Sequence, residues 1–194
     1  MRWIVFDYGE VISLHTTALA DLAGMVGVPD ADFTAAYWAA RDAYDRGQSD
    51  LDFWQAVHPG VSPELVARLS EVDIAGWLHI SEPTIALLEE LTEAGVPMAL
   101  LSNAPVSFAR VAEQQEWAKH FRHLVYSGDL GMAKPDPEIW RALAEQLDAV
   151  PSDCVFFDDR QVNIDGAVAA GMTGVLWRGA DSARESLVDL GVLS

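Results

Sequence analysis

The chain has 194 residues, 51% of them hydrophobic, with 12 basic against 30 acidic side chains and a formal net charge of −18. That length suits one domain or one core with a modest insertion, and that apolar content excludes a disordered chain. So acidic a surface repels nucleic-acid phosphates and anionic lipid and argues against both as partners, but not against a small phosphate compound, because a bound divalent ion reverses the local field.

The first element is an apolar run, Trp3-Ile4-Val5-Phe6, that ends in Asp7 and breaks at once into Gly9-Glu10-Val11-Ile12. It reads as a buried strand over Trp3–Asp7 whose terminal carboxylate is held rigidly and open on one side, available as a nucleophile or a metal ligand. A strand entered within three residues leaves no room for a signal peptide, and apolar runs this short, broken by charges, predict no membrane span. From Thr16 to His79 the pattern is helical and rich in Ala, Trp and Asp, with breaks at Gly27-Val28-Pro29-Asp30, Arg46-Gly47-Gln48-Ser49 and His58-Pro59-Gly60. This predicts a helical insertion over 16–79 between core segments 1–15 and 80–194. Within it Tyr37, Trp38, Arg41, Tyr44 and Trp54 recur at helical spacing, expected as the insertion's own core in preference to a substrate pocket.

Beyond the insertion, Ile85, Leu88 and Leu91 mark one face of a helix over Pro83–Ala94, with Ser81 as N-cap and Gly95 as the stop. Strands are predicted over Pro97–Ser102 and His123–Ser127, and the loop Gly131-Met132-Ala133-Lys134-Pro135 leads to Asp136-Pro137, an N-cap and first helical position. Ile139, Leu143 and Leu147 give that helix its apolar stripe, and Cys154–Asp158 is the next strand. A helix from Val162 to Gly171 and a strand over Gly174–Trp177 follow. Strands alternating with helices over 80–180 predict an α/β fold with a doubly wound parallel sheet. Cys154, the single cysteine, rules out an intramolecular disulfide, fits a reducing cytoplasmic setting and is expected in the core. In such sheets ligands sit beyond the carboxyl ends of the strands, where Asp7, Ser102, Asn103, Asp158 and Asp159 all fall. His58, His79, His120 and His123 show no metal-ligand spacing.

In this order, the segments around Asp7, Ser102-Asn103, Lys134 and Asp158-Asp159 resemble the four motifs of the haloacid dehalogenase-like (HAD) hydrolase superfamily. The resemblance implies a Rossmannoid core with a small helical cap after the first strand. It also implies Mg²⁺-dependent hydrolysis of a small phosphorylated metabolite, a sugar phosphate among the candidates, through an aspartyl-phosphate. On this resemblance Asp7 is the nucleophile, Lys134 supplies fixed positive charge, and Ser102 with Asn103 holds phosphoryl oxygens. The Mg²⁺ site draws on Asp7, the Gly9 carbonyl and Asp159 with Asp158 beside it. Phe6-Asp7-Tyr8-Gly9-Glu10-Val11-Ile12 is similar to the Asp-x-Gly-Asn-Val subgroup, that of glucose-1-phosphate phosphatase-like enzymes and the N-terminal phosphatase domain of soluble epoxide hydrolases. The subgroup departs from the phosphatases' usual Asp-x-Asp: Gly9 lacks the carboxyl that protonates the leaving group, a role typically worth about 10²–10⁴ in rate. Glu10, expected to face solvent in the turn, and His15, in the hinge to the cap, are the nearest residues to stand in. A Gly9 at positive φ would make any side chain there cost stability. Two alternatives keep the fold: a metal-free 2-haloacid dehalogenase, whose Asp-x-Tyr-Gly-Thr pattern this chain does not reproduce, and a protein with weak or no catalysis. A monomer or homodimer is expected.

Overall fold

A computed structural model describes residues 2–194. Strands β1 (Trp3–Phe6), β2 (Met98–Ser102), β3 (His123–Tyr126), β4 (Cys154–Asp158) and β5 (Thr173–Leu176) form one parallel sheet in the order β3-β2-β1-β4-β5. Every residue of β1, β2 and β4 is buried, as parallel strands covered on both faces require. Side chains alternate between two cores. Ile4, Phe6, Leu100 and Phe157 pack with Leu88 of α5 (Glu82–Glu93) and Leu187 of α10 (Ala180–Asp189) on one face. Val5, Leu101 and Phe156 pack with Leu143 of α8 (Pro137–Gln146) and Ile164 of α9 (Gln161–Ala169) on the other, where Cys154 is also buried. Phe6 is level with Leu100 on one side and Phe157 on the other, so Asp7, Ser102 and Asp158 all emerge at the same edge of the sheet.

Two expected helix caps sit in place but spend their side chains elsewhere. Ser81 precedes α5, yet its Oγ accepts from Thr84 Oγ1 (3.0 Å) and caps no backbone N–H. Asp136 precedes α8, but its carboxylate takes the Arg46 guanidinium and the Ala133 N–H. A charge-assisted bond outcompetes a cap.

Between β1 and α5 the chain builds α1 (Leu19–Val26), α2 (Asp30–Asp45), α3 (Asp50–Val57) and α4 (Pro63–Trp77), which share their own apolar core. Tyr37, Tyr44 and Trp54 lie in it, Tyr44 stacked on Phe53 at 3.9 Å and Trp54 Nε1 donating to Ser70 Oγ at 2.9 Å. Gly27 (φ 74°) and Gly47 (φ 94°) end α1 and α2 in the left-handed region that glycine enters without strain. The insert leaves and rejoins the sheet through a neck of paired chain: Leu14 N–H donates to His79 O (2.7 Å) and Ser81 N–H to Ile12 O (2.8 Å). No helix among the described residues is long and apolar enough to cross a membrane.

Candidate active site

Asp7 follows β1 directly, and its N–H donates to Phe157 O at 2.9 Å, which fixes the residue against β4. The chain then winds tightly: the N–H groups of Ile12 and Ser13 both reach Tyr8 O at 2.9 Å. The left-handed residue in this turn is Glu10, at φ 56°, and not Gly9. The stability cost that a positive φ would put on a side chain at Gly9 therefore does not arise, and a Cβ added there would touch only Trp77 Cζ3, at 3.9 Å. Backbone strain sits instead on a residue with a side chain. Glu10 and His15, the two expected stand-ins for the missing acid, are joined to each other (Oε1 to Nδ1, 3.0 Å), both largely in solvent.

Beyond β2 the chain forms α6 (Val106–Ala112), β3 and α7 (Ser127–Leu130), and Lys134 reaches the same edge from the loop after α7. Its side chain is buried, and Nζ lies 2.6 Å from Asp7 Oδ1 and 2.8 Å from Asp158 Oδ2. Burial alone would push this ammonium's pKa down, but Asp7 and Asp158 reverse that and hold it above the usual lysine range. For Asp7 the balance goes the other way. Burial pushes its carboxyl up to about 7, against the pull of Lys134 and with the help of Asp158. Burial and then Asp158 also raise the pKa of Asp159.

Asp158, Asp159 and Asp7 offer carboxylate oxygens within 4.8 Å of one another. They are not equivalent. Asp158 Oδ1 accepts from Arg160 N–H (2.8 Å), and both of its oxygens accept from Asn163 Nδ2 (3.0 Å each), besides Lys134 on Oδ2. Its lone pairs are therefore largely committed to N–H donors, and it holds Lys134 in place. Asp7 and Asp159 line the open cavity, along with Gly9. Mg²⁺ binds through one or two carboxylates plus water and phosphate oxygens. This hard-oxygen set, with three carboxylates facing one ammonium, fits such an ion. Asn163 Oδ1 is buried without a protein partner, one more oxygen beside the cluster.

Ser102 is buried and lines the cavity as expected. Asn103 lines it too, but its side-chain amide is spent on the neighbouring loop: Nδ2 donates to Lys134 O (2.9 Å) and Oδ1 accepts from Lys134 N–H (2.8 Å). That clamp sets where Lys134 leaves the backbone.

The cavity measures about 540 Å³ and lies between the sheet edge and the insert. Trp38, Arg41, Asp45, Arg46 and Trp77 line it from the insert. Of the five insert residues expected as core, Trp38 and Arg41 thus face the cavity. Arg41 Nε donates to Asp45 Oδ1 at 2.8 Å, and its guanidinium lies 5.5–5.8 Å from the ring centres of Tyr37, Tyr44 and Trp77. Burial pushes the Asp45 carboxyl up to about 6, with Arg41 opposing. Asn163, Trp77 and Asp45 were not singled out in the sequence. Asn163 carried one signal: it sits one helical turn after Asp159, where a first-turn side chain can reach back to the strand end.

Comparison with known proteins follows the same line. Flavin mononucleotide hydrolase 1, chloroplatic, of Arabidopsis thaliana is 30% identical over 106 residues, covering 55% of this chain and 43% of that protein. Sesquiterpene phosphatase astK of Aspergillus oryzae is 34% identical over 102 residues, covering 52% of each. The chain thus spans about half the length, or less, of these curated relatives. The HAD family enzyme BT-2542 of Bacteroides thetaiotaomicron shares the fold, with a TM-score of 0.73 at 18% identity over 91% of this chain and 93% of that one. The family model for haloacid dehalogenase-like hydrolases matches residues 1–171, and this chain belongs to that family.

Proposed function

We propose that this chain is a Mg²⁺-dependent phosphomonoesterase for a small phosphorylated metabolite, with residues 1–15 and 80–194 as catalytic core and 16–79 as cap. The observation that carries the reading is the buried ammonium of Lys134 shared between Asp7 and Asp158, beside an Asp159 that remains open to the cavity. Lys134 Nζ occupies one oxygen of Asp7, leaving the other to attack phosphorus. The ester P–O bond breaks as the Asp7–phosphate bond forms, and water then cleaves this acyl phosphate to free carboxylate and inorganic phosphate. Lys134 is a preorganised charge beside the transferring group, where such groups act most strongly. The Ser102 hydroxyl, on a buried residue of the cavity lining, would hold a phosphoryl oxygen. Asp7 and Asp159 would hold Mg²⁺, which supplies Lewis-acid charge to the phosphoryl oxygens. The names of the two relatives, one a mononucleotide hydrolase and one a phosphatase, support this reaction class.

The test is phosphate release from phenyl phosphate with and without Mg²⁺, in wild type and Asp7→Asn, beside halide release from 2-chloropropionate. Mg²⁺-dependent phosphate release that Asp7→Asn abolishes is expected. Halide release with no phosphate release would install the dehalogenase reading in its place.

A further inference from the structure

Gly9 leaves open the place beside the nucleophile, and the group facing that gap is an indole. A Cβ built on Gly9 has Trp77 Cζ3 at 3.9 Å and no polar atom of the surrounding chain within 4 Å. Trp77 is held firmly: its Nε1 donates to Tyr37 OH (3.2 Å), and its carbonyl accepts from Tyr8 OH (2.7 Å). Trp38 stands edge-on to it, ring centres 6.2 Å apart at 86°. Trp38 is 41% exposed although it lines a cavity, which leaves a large apolar surface without a partner. On the core side, Tyr8 and Phe108, ring centres 5.0 Å apart, also border the cavity but are themselves almost wholly buried, so the open aromatic surface is that of the two indoles. Trp77 and Trp38 thus line the cavity that Asp7 opens into, with Arg41, Asp45 and Arg46 as its charged lining on the insert side.

We propose that Trp77 and Trp38 seat the leaving group, and that the substrate class is a phosphate monoester of a flat aromatic ring. This rests on the phosphatase reading above and names its substrate. Two independent demands converge on it. With no carboxyl at Gly9, the departing oxygen must leave with little help from a proton, and a phenol, of pKa about 10, needs far less help than an alkyl alcohol. An indole wall binds a flat ring by burial and edge-to-face contact, a kind of pairing worth about 0.5–1.5 kcal/mol beyond the area buried. The cavity, about 540 Å³, is of the size that takes a fused ring system. An alkyl or sugar phosphate satisfies neither demand as well.

The experiment separates ring shape from leaving-group acidity. Initial rates with Mg²⁺ are measured on 1-naphthyl phosphate, phenyl phosphate and hexafluoroisopropyl phosphate, whose alcohol is about as acidic as phenol but carries no ring, and on glycerol phosphate. In wild type, KM for 1-naphthyl phosphate should be at least tenfold below that for the fluoroalkyl ester, with phenyl phosphate between them. Trp77→Leu and Trp38→Leu should each shrink that ratio at least threefold. If Trp77→Leu does not fold, Trp38→Leu, on the more exposed ring, and the wild-type ratio still decide. Equal KM for ring and non-ring esters, or a ratio unchanged in the folded variants, overturns the seat and leaves the phosphatase standing. Phosphate release from none of the esters overturns both.

Discussion

A lysine ammonium cut off from water is costly unless its charge is matched, and Lys134 meets two carboxylates within 2.8 Å. Removing one partner or the ammonium itself should therefore have distinct signatures. Lys134→Met should lower kcat by about 10²–10³, the usual loss for a preorganised charge at a transition state, and leave the Mg²⁺ midpoint of activity in place. Asp159→Ala should move that midpoint up at least tenfold with a smaller change in kcat at saturating Mg²⁺. Identical Mg²⁺ titrations for the two variants would refute separate roles. The Asp7 carboxyl makes a further prediction. Its folded pKa, pushed up by burial from 3.8 to about 7, lies above its unfolded value, so the folded chain holds this proton longer. The associated stability is intact below about pH 3.8 and is lost as pH rises through about 7. Metal-free wild type should thus melt lower at pH 8 than at pH 5.5. Asp7→Asn should narrow the difference, and Mg²⁺ should restore wild type at pH 8. An Asp7→Asn protein with the same pH dependence as wild type would count against this. Asp7, Lys134 and Asp159 were legible in the sequence because each ends an apolar run or opens a helix, features that a chain carries locally. Trp77 was not, because nothing in residues 70–80 says that α4 ends facing Gly9.

The helical insert meets the core through backbone as much as through side chains. Ser127, at the start of α7, donates from Oγ to Asp45 O in α2 and accepts from Ala104 N–H (2.9 Å), and Tyr44 OH meets Ser107 Oγ at 2.9 Å. Gly47 lets the insert come this close, since a Cβ there would lie 2.8 Å from Gly128 O, and Gly128 packs in turn on the core's own loop, where a Cβ would lie 2.8 Å from Ala104 O and 2.9 Å from Val106 N, backbone atoms that cannot rotate away. Gly128→Ala should cost about 1–3 kcal/mol, as overpacking does, read as a lower denaturant midpoint with an unchanged slope. An unshifted midpoint would show that the contact yields. The helices α5, α8 and α9 were legible within a residue or two: α5 and α8 each carry an apolar stripe, Pro137 opens α8, and Gly95 and Gly171 stop α5 and α9. The four-residue α7 was not, since one turn is too short to show a period. The same holds for the departures at Ser81 and Asp136. A cap residue is visible in sequence, but the partner that draws its side chain away lies at Thr84 in one case and at Arg46 in the other.

At the scale of the whole molecule, a net charge of −18 makes the folded chain repel itself. Screening weakens that repulsion, so the melting temperature should rise by several degrees between 10 mM and 0.5 M NaCl, where exposed ion pairs alone would predict a fall. A flat or falling profile would mean that local pairs such as Arg184 with Glu90 dominate. The parallel sheet and the helical insert were both legible in the alternation of patterns along the chain. The strand order was not, because period and burial say that each strand is covered on both faces but not which neighbours it takes.

That order has a bearing on how the molecule is made. β1, the first of these five strands to be synthesised, is paired on one side with β2 and on the other with β4, Trp3 aligning with Cys154. A nascent chain halted near Val150 would hold β1, β2 and β3 but present the Trp3–Phe6 edge bare, an open template for another chain. Lys134 would likewise lack Asp158, one of its two carboxylates, until the fourth strand docks. Productive folding therefore waits on β4, and a premature stop before Cys154 should yield aggregate in place of a smaller working core.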